Sequence, residues 1–446
     1  MISSSGFIDD VRFRLESKPG LAILVALHSV VTCLSLIKVA NYQSYIHFSH
    51  AHVWTAVAIA LAFSAVSLLF VTARFSFGYL AGFYLYTMIL GFLWIDVFSN
   101  YSYARLFAGI SAALSLVLLL LPVLFVRAPF RQLVILSQAN FEHLLTAIMV
   151  LSAATVAVAS TYNFRLVTIA HIYDYRDALD FPGALRYLIG WTSSTLLPFS
   201  FACYWLLGYR WRAALVLVLL LLFYPITLTK FAFFTPAWLI ALTILTHFLA
   251  ARSSAILSIS IPMLIGLVAI ALTDASLNSI PGRYFDLVNI RMIATASSAL
   301  DIYNHFFNTH PLTSFCQISV LKILTHCPYQ EPLAVMMQNT YGFGNLNASL
   351  FATEGVASVG IYLAPLTALA SGLVLAIGNR ASAGLSPRFV LVSSGVLPHV
   401  LLNVPLTVAM VTHGTAILFL LWYVMPRGML KDQDARAASE TSTPAA

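Results

Sequence analysis

Charge is what this chain has least of: Asp, Glu, Lys and Arg together make up 9% of its 446 residues, and the two acids number only 16. Soluble domains carry about a quarter of their residues as charge, so a surface wetted on all sides is excluded. Cysteine is scarce as well, with four in all, which excludes a scaffold built on disulfides. No segment repeats at a fixed period, and the inverted pseudo-symmetry of many secondary transporters is not visible. A cleavable signal peptide is not evident either. The first apolar run is long, has no convincing small-residue cleavage site, and follows acidic and basic residues alike.

What the chain does have is apolar surface, with 60% hydrophobic residues and a mean hydropathy of +0.89. Windows long enough to cross a hydrocarbon core of about 30 Å recur along it. They fall at 20–38, 53–73, 78–97, 106–126, 142–161, 187–208, 213–229, 235–251, 254–273, 350–377, 389–404 and 407–426. This predicts an all-α polytopic membrane protein of about twelve transmembrane helices, a single integral membrane domain over 1–446. The eleventh window is short and holds Pro398, with Pro405 just beyond, so a bent or re-entrant segment is expected there.

Basic residues accumulate in cytoplasmic loops. With both termini cytoplasmic, fourteen of the 23 Lys and Arg fall in short inner flanks, from Arg12 to Arg436. Six of the other nine sit in the two longest outer loops, 161–187 and 274–349. The net charge of +7 therefore reads as topology, with no continuous basic stripe for nucleic acid. The small polar tail, 430–446, is expected to be a disordered cytoplasmic end.

Outer arginines are the first candidate site: Arg165, Arg176 and Arg186 in one loop, Arg283 and Arg291 in the other. A guanidinium fork donates two parallel hydrogen bonds to phosphate oxygens, which suits a lipid diphosphate. The plain alternative is pairing with Asp174, Asp177, Asp180, Asp286 and Asp301, or with lipid headgroups. Glu354, four residues inside the tenth window, is the second candidate, because an acid at membrane depth usually faces a polar cavity. Asn345 and Asn347 just before it suit either a sugar hydroxyl or a helix cap. Asp96 reads as structural. His28, His399 and His413 read as hydrogen-bonders between helices, and the loop of His47, His50 and His52 lacks the further ligands a zinc site needs.

From Ser297 to Phe307, apolar and aromatic residues recur at helical spacing, which predicts an amphipathic helix on the membrane surface with Asp301 and His305 in water. Cys316 and Cys327 share the large outer loop, where an oxidising compartment would favour a disulfide over two free thiols. Cys33 and Cys203 fall inside windows, as small apolar fillers.

Taken together, Arg291, the Tyr303, Phe306, Phe307 pattern, His310-Pro311, the turn of Gly344, Asn345 and Asn347, and Glu354, Gly355 and Gly360 resemble the bacterial oligosaccharide repeat-unit polymerases, the O-antigen (Wzy-type) polymerases. The match covers about 90 residues closely and the rest by layout. The resemblance implies a membrane glycosyltransferase of GT-C-like architecture in the bacterial inner membrane, working at its periplasmic face without metal or cofactor. Its substrate would be an undecaprenyl-diphosphate-linked oligosaccharide, polymerised into O-antigen, capsule or exopolysaccharide, and a chain-length regulator would be a partner. Arg291, Glu354 and His310 are then the expected catalytic residues. Arg283, Arg165, Arg176, Tyr303, Asn345 and Asn347 are the expected substrate-binding ones. The competing class is a flippase or other transporter, which would place its polar groups near mid-membrane. A membrane acyltransferase would want a deep histidine beside an acid, and Glu142 and His143 lie at an inner end instead.

Overall fold

In hydrocarbon every backbone polar group needs an internal partner, so an apolar chain must form helices or a closed barrel. This chain forms helices. The computed structural model describes residues 10 and 12–428, except 169, 170, 177, 178, 274, 275, 319, 320, 324, 344, 345 and 347. Asn345, Asn347 and the 430–446 tail thus lie outside the described residues. Among those described there is no strand beyond an isolated bridge between Ile46 and Ser99.

The helices run α1 (Lys18–Tyr42), α2 (His50–Thr72), α3 (Phe77–Phe98), α4 (Arg105–Phe125), α5 (Gln138–Tyr162), α6 (Gly183–Trp191), α7 (Leu197–Leu206), α8 (Arg210–Thr227), α9 (Lys230–Phe248) and α10 (Ala251–Thr273). Then come α11 (Ile280–Phe285), α12 (Thr295–Phe307), α13 (Leu333–Tyr341), α14 (Phe351–Ser382), α15 (Pro387–Ser393), α16 (Leu397–Asn403), α17 (Leu406–Val411) and α18 (Thr415–Val424). Nine of the described helices are long and apolar enough to cross a membrane: α1 to α5, α8 to α10, and α14. The chain is an all-helical, multi-pass membrane protein.

Three of the twelve predicted windows, the sixth, eleventh and twelfth, are not among these nine. In the sixth, Thr192 and Ser193 turn their hydroxyls back to the carbonyls of Leu188 and Ile189, both at 2.6 Å. That competition with the backbone ladder bends helices, and a π-helical turn, Thr192–Leu196, continues α6 into α7 without a break. The eleventh window breaks around Gly395 and again before Pro405, and the twelfth at Gly414, whose φ of 76° is left-handed. Inside α14, Gly360 (φ 75°, ψ 172°) interrupts the helix in a conformation only glycine adopts readily.

The chain divides into two compact units. The first comprises Met1–Val126, Phe248–Ala376 and Pro398–Thr407; the second Arg127–His247, Ile377–Leu397 and Val408–Ala446. In the first unit α3 is central: every residue but Val97 is buried, as expected of a helix that is apolar all round. It packs against α1, α2, α4, α10 and α12. On α1, by contrast, Ile23, Leu27, Val30 and Leu34 form an exposed stripe at helical spacing, a face suited to lipid.

Without a hydrophobic drive between helices in lipid, small residues and polar pairs hold them. His28 bonds Thr87 through Nε2 and Ser260 through Nδ1, each at 2.8 Å, joining α1, α3 and α10. Glu16 accepts from Arg252 Nε at 2.8 Å and from the Ser253 backbone at 3.0 Å where α10 begins. In the second unit Asn163 donates to the carbonyls of Pro225 and Ile226, and His413 meets Ser194 at 3.1 Å. His28 and His413 thus join helices, as their positions in the sequence suggested.

Candidate functional site

The segment expected to lie on the membrane surface is instead part of the first unit's interior. α11, a π-helical stretch Asp286–Ala294 and α12 form one continuous helical run. Asn289 donates from Nδ2 to Ser35 at 2.8 Å and to the Met263 carbonyl at 2.9 Å, so the run sits among α1 and α10. Ser297 donates to the Met88 carbonyl of α3 at 2.9 Å. Gly91 and Gly266 make these approaches possible, because a Cβ on either would collide with Ser297 or Asn289. From Ala296 to Asn304 every residue is buried, and Asp301 is 0% exposed. The helical spacing was real, but periodicity alone does not say whether the polar face meets water or other protein groups.

On the outward side of the same run, Arg283 and Arg291 are both exposed while Val288, Asn289 and Ile290 are buried. The π-helical stretch closes i to i+5 bonds and so turns less per residue than an α-helix. That winding brings residues eight apart toward one face. Asp286 lies between them, its Oδ1 3.7 Å from Arg291 Nε. These three residues give a basic ledge with one carboxylate, carried on a run whose Val288, Asn289, Ile290, Ile293 and Ala294 are buried.

Helical rise then separates this ledge from two residues expected to work with it. Sixteen helical positions part Arg291 from Phe307, beside His310, which is about 24 Å at about 1.5 Å per residue. Two side chains cannot close that gap to act on one bond. His310 stacks on Phe306 at 3.9 Å between centroids, and its Nδ1 donates to the Phe306 carbonyl at 2.8 Å. Glu354 lies toward the same end: its turn, Phe351–Ala357, packs against α12, and its charge acts on Tyr303. It is buried and its carboxylate is engaged. Oε2 accepts from Thr353 at 2.8 Å, and Oε1 accepts from the Thr407 N–H at 3.2 Å and hydroxyl at 3.3 Å, at the start of α17. A carboxylate there caps a helix N-terminus.

Tyr303 is fully buried, with its hydroxyl 3.5 Å from the Leu346 carbonyl, and Phe306 and Phe307 are buried beside Tyr329. None of the three faces lipid or open solvent. Cys316 and Cys327 are joined in a disulfide, Cα atoms 5.2 Å apart. The strap it closes is fastened to α14: the Thr313 N–H donates to the Ala357 carbonyl at 2.8 Å and Gln317 donates to Ser358 at 2.7 Å.

Arg165 and Arg176 belong to the second unit, where both are exposed. Arg165 sits 5.3 Å over the Tyr175 ring and lines a cavity of about 160 Å³ with Tyr162, Asn163, Asp180 and Phe181.

One constellation escaped the sequence. Tyr103, in the turn after α3, places its hydroxyl against both Asp96 Oδ1, at 2.8 Å, and Asp301 Oδ1. Ser99 donates to Asp301 Oδ2 at 2.7 Å. Arg105 stands 4.0 Å from Asp96 and donates to the carbonyls of Ser99 and Tyr101 at 2.5 and 2.6 Å. Burial pushes the Asp301 carboxyl above the ordinary carboxylate range, against the pull of Ser99, Tyr103 and Arg105. Burial and the two acids likewise raise the Tyr103 phenol. The available signal was an acid set in an apolar and aromatic run, Leu300 to Tyr303; nothing marked Tyr103 or Ser99.

Comparison with protein-family models, with curated proteins and with solved structures gives no match to this chain.

Proposed function

We propose that the chain is a membrane glycosyltransferase that joins oligosaccharide repeat units carried on undecaprenyl diphosphate at the periplasmic face of the bacterial inner membrane. The observation that supports this best is the ledge of Arg283 and Arg291, two exposed guanidinium groups on a helical run whose Val288, Asn289, Ile290, Ile293 and Ala294 are buried. Such groups can hold a diphosphate and neutralise the charge that develops as it leaves, often the largest catalytic contribution. In this reading the acceptor hydroxyl attacks the anomeric carbon, the bond from that carbon to the diphosphate oxygen breaks, and the diphosphate departs as an anion on the arginines. Asp286, beside Arg291, receives the hydroxyl proton. It replaces His310 and Glu354 in that role, one too distant and the other occupied as a cap.

The test is polymer-length profiling in a host deleted for this gene and complemented with Arg291→Ala. Single-repeat product with normal membrane insertion is expected. Unchanged long-chain polymer refutes the assignment, and inward-facing precursor accumulating in the deletion host identifies a flippase instead.

A further inference from the structure

We propose that Asp96, Tyr103 and Asp301 form a one-proton latch, in which a single proton shared between the two carboxyl groups through the phenol fastens α12 to the end of α3. It goes beyond the transferase reading and does not depend on it.

Hydrogen-bond counting carries the proposal. A phenol has one proton to donate and an ionised carboxylate has none. The Tyr103 oxygen lies within hydrogen-bond distance of an oxygen on each acid. Two such contacts in a row need two protons, the phenol's own and one on either carboxyl. With both acids ionised, one contact becomes a repulsion between buried oxygens, in a place where, among the described residues, Arg105 brings the positive charge. One added proton leaves two charges of opposite sign in balance, one carboxylate against the Arg105 guanidinium. Among the described residues the titratable groups around the cluster come from four helices and the segments between them. Asp96 comes from α3, Tyr101 and Tyr103 from the turn after it, and Arg105 from α4. Tyr45 comes from the segment before α2, Asp301 and His305 from α12, and Tyr341 from α13. Tyr45, Tyr101 and Tyr341 are phenols raised by burial and by Asp301, so they bring no charge.

The latch has a way out to solvent. His305 sits one helical turn beyond Asp301, half-buried, with Nδ1 2.6 Å from the Tyr341 hydroxyl and its ring 4.9 Å from Tyr101. The sign of the pH response follows from the raised Asp301. The folded state binds a proton that the unfolded chain has already lost, so the hold on α12 is complete at low pH and weakens as pH rises through the folded value.

The test is infrared spectroscopy of the purified full-length protein in lipid nanodiscs, titrated with pH. A C=O stretch from a protonated carboxyl is expected at neutral pH, lost in Asp301→Asn or Asp96→Asn and shifted in frequency by Tyr103→Phe. Glu354→Gln keeps it. Hydrogen exchange in Thr295–Phe307, corrected for intrinsic rates, should speed up above the midpoint of that band. Should one Asn variant fail to fold, the other and Tyr103→Phe still decide the matter. The latch is overturned if neutral-pH protein has no such band, if the band survives both Asn variants, or if Tyr103→Phe leaves its frequency unmoved.

Discussion

One helical run carries two opposite regions. Around Arg283 and Arg291 it is open and basic; around Asp301, a few turns on, it is closed and acidic. The open half keeps its charges wet and ready for an anion. The closed half has the Asp301 carboxylate matched to Ser99 and Tyr103, in the turn after α3. On the proposed reading, distance along the helix divides ligand handling from the hold on the bundle, and substitutions should divide the same way.

The largest expected effect is on the open half. Asp286→Asn should lower chain extension by about 10² to 10⁴-fold, the usual worth of a positioned base, while lipid-diphosphate binding persists. Rates with long-chain donor in membranes would show it. If binding falls with the rate, Asp286 only positions Arg291. Next comes the strap. Cys316→Ser removes the disulfide and should cost about 3 kcal/mol of stability, read as a lower thermal midpoint, with ledge-dependent activity retained at low temperature. Smaller still is Glu354→Gln, which keeps an acceptor for the Thr407 N–H and should cost only about 1 kcal/mol. It should leave polymer length unchanged, as should His310→Ala. Loss of polymerisation in either would erase the division between the two halves.

The helices were legible in the sequence because hydrocarbon allows so few alternatives, and α1 to α5, α8 to α10 and α14 stand where the apolar windows predicted. The breaks were harder to see. They depend on backbone angles such as those at Gly360 and Gly414. Arg283 and Arg291 were legible as residues, because topology gave no reason for them. Their separation from His310 was not, since it follows from the helix continuing unbroken through the π-helical stretch. Asp301 was misplaced in water because a buried polar partner and bulk solvent leave the same periodic trace. Only the fold brings Tyr103 and Asp96 to it.

The central claim is that the Arg283 and Arg291 ledge binds a lipid-linked diphosphate. The most direct measurement is titration of the protein in nanodiscs with undecaprenyl diphosphate, comparing the parent with Arg283→Ala/Arg291→Ala and with Tyr103→Phe. The account predicts a loss of affinity of at least about tenfold per arginine, each such charge-assisted contact being worth about 1.5 to 3 kcal/mol, and no change for Tyr103→Phe. Equal affinity in the double arginine variant would contradict it.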